Sequence, residues 1–281
     1  MTDPATEEAT GEAQYTPEWL ALREDADADA RARDLLAPLR ERIAGRERVV
    51  VRDLGCGTGS MGRWLAPRLP GPQHWVMHDR DPVLLRIATG TMVRAAGDGA
   101  PVTVATSQGD ATALTAADLA GASLVTASAL LDLLTADEVG RLAAACTGAG
   151  CTALLTLSVA GRVELTPGDP MDSRIEAAFN AHQRRRVDGR RLLGPDAVAA
   201  AAEAFTAAGA DVLVRPSPWR LGPERAGLAV EWLRGWVAAA VEQDPALAEP
   251  GAGYLDRRLA AAEAGALRVV VDHEDLLATH G

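Results

Sequence analysis

The sequence predicts an α/β fold with a doubly wound, mostly parallel sheet of seven strands. Short apolar runs alternate with helix-like stretches along the chain, which is typical of a parallel sheet with helices on both faces. A glycine-rich turn, Asp53–Ser60, follows the first apolar run, and an acidic turn, Asp79–Asp81, follows the second. Apolar residues make up 48% of the 281 residues, which is enough for a sizeable core.

The elements can be placed from these alternating patterns. The predicted strands lie near 48–54, 73–78, 101–106, 122–128, 151–158, 211–215 and 267–272. The predicted helices lie near 59–67, 82–97, 135–148, 195–208, 223–242 and 252–264. Capping signals support two of the helix starts: Asp81 stands before a proline, and Thr135 with Glu138 forms a capping box.

A helical cap is predicted ahead of the first strand, over residues 15–45. Thr16, Pro17 and Glu18 supply a cap, a first-turn proline and an acid in the order of a helix start. A kink is expected near Pro38, because proline disrupts a helix interior. Residues 1–14 are polar and acidic, and we expect them to be disordered.

Residues 46–281 are predicted to form the main domain, with insertions near 159–194 and 222–264. The first insertion leaves from the carboxyl end of a strand, where ligands of open α/β sheets bind. It is therefore well placed to cover a substrate. The second insertion carries an apolar face at helical spacing, which indicates core packing, a homodimer seam or a substrate pocket. Its members are Leu228, Trp232, Leu233, Trp236, Val237, Ala240 and Val241.

Composition excludes several classes of function. Lysine is absent and all 28 basic residues are arginine, so Schiff-base chemistry, pyridoxal phosphate attachment and a Walker A loop are impossible. The net charge of −11 argues against a nucleic acid as the partner, because phosphate contacts favour a basic surface.

The cysteines and histidines show no spacing typical of a disulfide framework or a metal site. The N-terminus lacks the basic start and apolar core of a signal peptide, and no apolar run reaches membrane-spanning length. We therefore expect a cytoplasmic protein without a metal and without a membrane partner.

The turn after the first strand has the composition of a cofactor loop. Gly55, Gly57 and Gly59 permit positive φ and let a ligand approach bare backbone, with Cys56 between them as a small packing residue. The helix that follows offers unpaired N–H groups. A dinucleotide loop reads G-x-G-x-x-G, but its sixth position is Ser60 here. A tight turn without a ligand is the alternative interpretation.

Together with Asp53, these glycines read D-x-G-x-G-x-G, which resembles motif I of class I S-adenosylmethionine (SAM)-dependent methyltransferases. The resemblance implies a Rossmann-like methyltransferase fold. It also implies that Asp53 ends the first strand and that the glycine turn passes under the methionine part of SAM. The motifs cover about residues 48–160, and the remainder resembles the family only by element order.

The acidic turn after the second strand indicates a ribose contact. Asp79 comes 24 positions after Gly55, close to the spacing of about 20 at which an acid meets a ribose. A carboxylate accepts hydrogen bonds from two neighbouring hydroxyls. Its neighbour Arg80 is a further candidate cofactor contact, and Asp81 is better explained as the cap of the next helix. The alternative is that both acids serve the turn alone.

The resemblance places further residues at the cofactor. An acid after the third strand receives the adenine amino group in that family, and Asp110 matches it, flanked by Gly109 and Ala111. An ordinary Gly-Asp turn is the alternative there. N-terminal helices of the family close over the cofactor, which makes Arg23 a candidate contact, with Tyr15 and Trp19.

Catalytic candidates come from two places. Asp132 is one catalytic candidate, and it follows Ser128, which ends the fourth strand and is a candidate cofactor contact. In the resembled family this region passes near the transferred methyl group. In the first insertion, His182 has the ordinary pKa of a general base, although a lone histidine is also a common packing residue. The run Arg184–Arg191 suits a clamp on a carboxylate or phosphate, or else a solvated loop.

These patterns predict a SAM-dependent methyltransferase that acts on a small molecule, such as a metabolite or natural-product intermediate. The Asn-Pro-Pro-Tyr type motif of amino-directed nucleic-acid methyltransferases is missing after the fourth strand. Two alternatives stay open: a non-catalytic SAM-fold partner or regulator, and an NAD(P)-dependent oxidoreductase.

Overall fold

The computed structural model describes residues 15–280, so the disorder expected for residues 1–14 concerns a segment outside that range. The strands are β1 (Val49–Leu54), β2 (Gln73–Asp79), β3 (Val102–Gln108), β4 (Leu124–Ser128), β5 (Thr152–Thr166), β6 (Arg186–Val187), β7 (Arg190–Arg191), β8 (Asp211–Pro216), β9 (Trp219–Leu221) and β10 (Arg268–Thr279). The helices are α1 (Pro17–Ala30), α2 (Leu36–Ile43), α3 (Ser60–Leu65), α4 (Pro82–Thr91), α5 (Ala136–Ala149), α6 (Asp172–Gln183), α7 (Ala197–Ala207), α8 (Ala226–Gln243) and α9 (Ala248–Glu263).

One mixed sheet carries the fold, in the order β3-β2-β1-β4-β5-β10-β8, with β9 paired to β10. The first five strands run parallel, and β10 is antiparallel to its neighbours. The predicted α/β class is confirmed, although the sheet has eight strands rather than seven. The additional strand, β9, has three residues, too few for a pattern to show. The order of strands along the sheet reverses between β1 and β4, and at this switch point a crevice opens at the carboxyl ends of the two parallel strands.

Local chemistry fixes the helix starts as predicted. The Asp81 side chain accepts a hydrogen bond from the Val83 amide and caps α4. Thr135 and Glu138 exchange both bonds of the capping box at α5. These caps anchor the connections that leave the carboxyl edge of the sheet.

The N-terminal cap begins at the predicted residues, but its helix is interrupted near Arg31 and not at the predicted position near Pro38. Thr16 caps α1 by accepting from the Trp19 amide. Helix α1 ends at Ala30, its C-cap Arg31 has an extended ψ of 132°, and Pro38 lies within α2. Because α2 starts at Leu36, Pro38 lies in the first turn, where its missing N–H costs nothing.

The first insertion contains structure that the sequence patterns did not reveal. Strand β5 continues to Thr166, beyond the predicted end near 158. Helix α6 follows, and the two-residue strands β6 and β7 form a hairpin. The weak apolar pattern of α6 explains why it was missed, since Ile175 is its one fully buried residue.

The apolar face of α8 packs inside the chain. Leu228, Leu233 and Trp236 are buried against α6, α9 and β10 in one core cluster. The Trp236 ring stacks on Trp232 at a centroid distance of 5.0 Å. Core packing is therefore the structural role of this face.

Candidate functional site

A cavity of about 550 Å³ lies at the carboxyl edge of the sheet, between β1, β2, β3 and β4. It brings together most residues that the sequence singled out for a cofactor. Its wall includes Asp53, Gly55, Cys56, Gly57, Asp79, Arg80, Gly109, Asp110, Ala111, Ser128, Arg23 and Tyr15. Gly59, Asp132, His182 and Trp19 are not part of this wall.

The glycine turn presents bare backbone to the cavity. Gly55 and Gly57 have φ of 58° and 53°, values that favour glycine. A Cβ at Gly55 would come 3.2 Å from Leu130, and a Cβ at Gly57 would come 3.1 Å from Leu20. Side chains at these two positions would crowd their neighbours and occupy the space beside the turn, which glycine leaves open.

Gly59 has a packing role in this structure. Its φ is 85°, and a Cβ there would lie 3.2 Å from the Cα of Ala88. The glycine lets α4 approach the start of α3 closely. It shapes the turn from behind rather than lining the cavity.

The Asp79 carboxylate is held rigidly at the wall. Its Oδ2 accepts from the Gly57 amide at 2.9 Å, and its Oδ1 accepts from the Asp81 amide at 3.0 Å. Each carboxylate oxygen keeps a further lone pair. The group therefore remains able to accept from two adjacent hydroxyls.

Asp110 lies at the neighbouring strand end and is also oriented. Its Oδ1 accepts from the amide and the hydroxyl of Thr112, both at 2.8 Å, and its Oδ2 lies 2.9 Å from Arg80 Nη2. Partial burial acts to raise the pKa of Asp110, but the hydrogen bonds from Thr112 and Arg80 outweigh it and hold the pKa below its ordinary value. The side chain is thus a charged acceptor for an N–H donor such as an amino group.

Asp53 places an incompletely paired acid in the wall. The side chain is buried, and its Oδ1 accepts from the Thr126 hydroxyl at 2.7 Å. Its Oδ2 has no hydrogen-bond partner among residues 15–280. Burial raises the pKa of Asp53 to about 7. A cationic ligand group at this oxygen would compensate the charge.

Arg31, which the sequence did not single out, supports the wall from behind. It is 2% exposed, and its Nη2 donates to Ser128 Oγ at 3.2 Å and Ser60 Oγ at 3.4 Å. Its Nε and Nη1 have no partner within the described chain. Because Ser128 is 97 positions away, no local signal could have revealed the contact.

The N-terminal cap closes one side of the cavity. Arg23 lines the wall, pairs with Asp27 at 3.0 Å and lies over the Trp219 ring at 4.8 Å. Tyr15 lines the wall beside it, whereas Trp19 packs against the α8 core cluster. Although 39% of Tyr15 is exposed, partial desolvation of its hydroxyl, with a smaller contribution from the Asp132 charge, raises its pKa to about 12. Its hydroxyl is therefore a proton donor at neutral pH.

The two proposed catalytic groups lie behind the wall. Asp132 sits in a short turn beside the lining residue Leu133, and burial raises its pKa. His182 on α6 has its Nε2 3.3 Å from Glu242 and its Nδ1 3.3 Å from Arg185. Burial and the Arg185 charge lower the pKa of His182. Neither residue is part of the cavity wall, although the charge of Asp132 acts on the lining residue Tyr15.

The described residues were also searched for metal-binding clusters and membrane-spanning helices. Between 15 and 280, no group of three or more His, Cys, Asp or Glu side chains is arranged to hold a metal ion. None of the helices in the same range is long and apolar enough to cross a membrane.

A family model matches the part of the chain that carries most of this site. Residues 51–149 match the family described as methyltransferase domain. The matched segment runs from β1 to the end of α5 and holds the glycine turn, Asp79 and Asp110. A search among curated proteins finds no match.

Solved structures with similar architecture share little sequence with the chain. The cyclopropane synthase MmaA2 from Mycobacterium tuberculosis is 12% identical, with a TM-score of 0.49 over 94% of each chain. A SAM-dependent methyltransferase from Geobacter sulfurreducens, in complex with S-adenosyl-L-homocysteine, is 15% identical, with a TM-score of 0.40 over 93% of this chain and 98% of that one.

Proposed function

We propose that this chain, whose residues 51–149 match the methyltransferase domain family, transfers a methyl group from SAM to a small-molecule acceptor. The observation that carries the proposal is a single cavity that combines a bare glycine turn with oriented carboxylates at three adjacent strand ends. This arrangement matches the three parts of the cofactor: an amino acid, a ribose and an adenine.

The residues in the wall fit that cofactor. Gly55 and Gly57 would border the methionine chain, and the free oxygen of Asp53 would accept from its ammonium group. Asp79 would accept from the two ribose hydroxyls, and Asp110 from the adenine amino group. Bound SAM supplies a methyl group already activated by a sulfonium.

The protein's own contribution to the reaction is mainly orientation. The wall holds the acceptor beside the glycine turn and excludes water, and alignment of this kind provides a large part of the rate. Tyr15 is suited to donate a hydrogen bond to the acceptor. The roles of Asp132 and His182 as general bases remain predictions, since neither residue is part of the wall itself.

Several properties support a small acceptor rather than a nucleic acid. The cavity is bordered by the N-terminal cap on one side and the hairpin on the other, and the net charge is −11. Cys56, Cys146 and Cys151 are buried free thiols, which favours a reducing compartment such as the cytoplasm.

Calorimetry tests the cofactor directly. We expect the wild-type protein to bind SAM and S-adenosylhomocysteine, and not NAD⁺. The Asp79→Asn variant should bind SAM about ten- to a hundredfold more weakly, because the amide loses one charged acceptor for the ribose. Asp137→Asn, at an exposed position in the first turn of α5 and outside the wall, is the matched control and should leave the affinity unchanged.

The outcomes separate the alternatives. Heat with NAD⁺ and none with SAM would favour an oxidoreductase. SAM binding without transfer of a labelled methyl group to any compound in an extract of the source organism would favour a non-catalytic partner. A labelled product identifies the acceptor.

A further inference from the structure

The cavity extends beyond the residues assigned to the cofactor. Its far end is formed by the N-terminal cap, the turn after β4 and the hairpin of the first insertion. The members of this acceptor end are Tyr15, Arg23, Leu130, Leu133, Leu134, Arg185, Val187, Arg190 and Leu192. Most are apolar, so the charged members determine what else the acceptor must carry.

The structure divides the arginine run of the insertion into two groups. Arg184 pairs with Asp196 through two bonds of 2.6 and 2.7 Å, away from the cavity. Arg186 is exposed and donates to the Gly189 carbonyl. Arg185 and Arg190 line the acceptor end. The run is therefore only partly a solvated loop.

Two of the three arginines at the acceptor end already have carboxylate partners. Arg190 forms bonds of 3.0 and 2.8 Å to the two oxygens of Glu138. Arg23 is paired with Asp27. Their charges are compensated within the protein.

Arg185 differs, because its hydrogen bonds go to neutral groups. Its Nη1 contacts the His182 carbonyl at 3.2 Å and the His182 ring at 3.3 Å. The lowered pKa of His182 keeps that ring neutral near pH 7. Among residues 15–280, Arg185 has no ion pair with a carboxylate.

A half-buried guanidinium without a counter-ion attracts an anion, and the planar donors of arginine match a carboxylate or phosphate. Tyr15 adds a protonated hydroxyl at the same end. We propose that the acceptor carries an anionic oxygen group, a carboxylate or a phosphate, attached to an apolar body, and that Arg185 binds it. This inference rests on the proposed methyltransferase function.

The test measures binding to the protein loaded with S-adenosylhomocysteine at pH 7.5. The probes are two matched pairs, octanoate with octanamide and phenyl phosphate with phenol. We expect at least one anion to bind the wild-type protein about tenfold or more tightly than its neutral partner. The pair that shows the larger difference distinguishes a carboxylate from a phosphate.

Variants locate the effect. Arg185→Gln should remove the preference for the anion, and Arg185→Lys should keep part of it. Arg186→Gln is the matched control and should behave as the wild type, because Arg186 lies outside the wall. Affinity for S-adenosylhomocysteine should be the same in all four proteins.

The proposal is contradicted if both anions bind no better than their neutral partners, or if Arg185→Gln keeps the preference. The wild-type comparison decides the question even if Arg185→Gln does not fold. Failure of the wild-type protein to bind S-adenosylhomocysteine would overturn the methyltransferase function instead.

Discussion

The carboxyl group of Asp53 connects stability and ligand binding in one residue. Its pKa of about 7 lies well above the ordinary value of about 4, because the side chain is buried. The folded state therefore binds more protons than the unfolded state between these values. Stability falls as pH rises from about 4 to 7 and is not regained above that range.

We predict that Asp53→Asn raises the melting temperature at pH 8, where the wild-type carboxylate is charged and only partly paired. The same change should weaken SAM binding about tenfold, because the amide cannot form a charged bond with an ammonium group. The wild-type affinity for SAM should also fall as pH drops below 7. Scanning calorimetry and titration calorimetry measure the two effects.

Two observations would contradict this interpretation. One is a melting temperature that falls on substitution as much at pH 8 as at pH 5. The other is a SAM affinity that does not change with pH. Thr126→Val, which removes the donor to Oδ1 but keeps the carboxylate, serves as a control and should lower stability at pH 8.

Single residues could be predicted where the signal was local. The glycine turn, Asp79 and Asp110 follow strand ends in sequence, and the structure places all of them at one edge of the sheet. Arg31 could not be predicted, because its burial depends on a helix break and on contacts with residues far along the chain. The sequence also could not show that Arg185 and Arg190 are the members of the arginine run that reach the cavity, because their placement depends on the hairpin.

At the scale of elements, Glu138 joins α5 to the hairpin. It completes the capping box with Thr135 and also binds Arg190 on β7. Partial burial acts to raise the pKa of Glu138, but the hydrogen bonds from Arg190 and Thr135 outweigh it and hold the pKa below its ordinary value. Its charged pair therefore stabilises the fold above about pH 4 and is lost as pH falls below that.

We predict that Glu138→Gln loosens the hairpin while leaving α5 intact, because glutamine still completes a capping box. Hydrogen exchange at the Leu192 amide, which donates to the Arg185 carbonyl, should become about three- to tenfold faster. Thr135→Ala is the converse control: it should destabilise the helix start by about 1 kcal/mol and keep the ion pair. Equal effects of both variants on Leu192 would show that Glu138 acts only through the helix cap.

Elements were predictable in proportion to their length and pattern. The parallel strands and their helices appear near their predicted positions because each buries a periodic face. Helix α6 has a weak pattern, and the strands of the hairpin have two residues each, so tertiary contacts decide them. These are the elements that shape the acceptor end, where sequence patterns said least.

At the scale of the molecule, one buried carboxylate links segments far apart in the chain. Asp275 on β10 accepts from the amides of Leu157 and Ala32, both at 2.8 Å, and from the Ser217 hydroxyl at 2.6 Å. Leu157 has a φ of 57°, a left-handed conformation that is strained for leucine. The carboxylate thus holds a strained strand residue and the connection after α1 against the same point of the sheet.

We predict that Asp275→Asn destabilises the protein by about 1–3 kcal/mol, because its amide group must face one of these N–H or O–H donors. At about 2–4 °C per kcal/mol, the melting temperature should fall by roughly 2–12 °C. Asp272→Asn, on the same strand and half-buried, is the matched control and should change it little. Because Ala32 follows the helix that carries Arg23, hydrogen exchange should accelerate more in α1 than in β1, and SAM affinity should fall with it. Equal behaviour of the two variants would mean that the N-terminal cap is held by its apolar contacts alone.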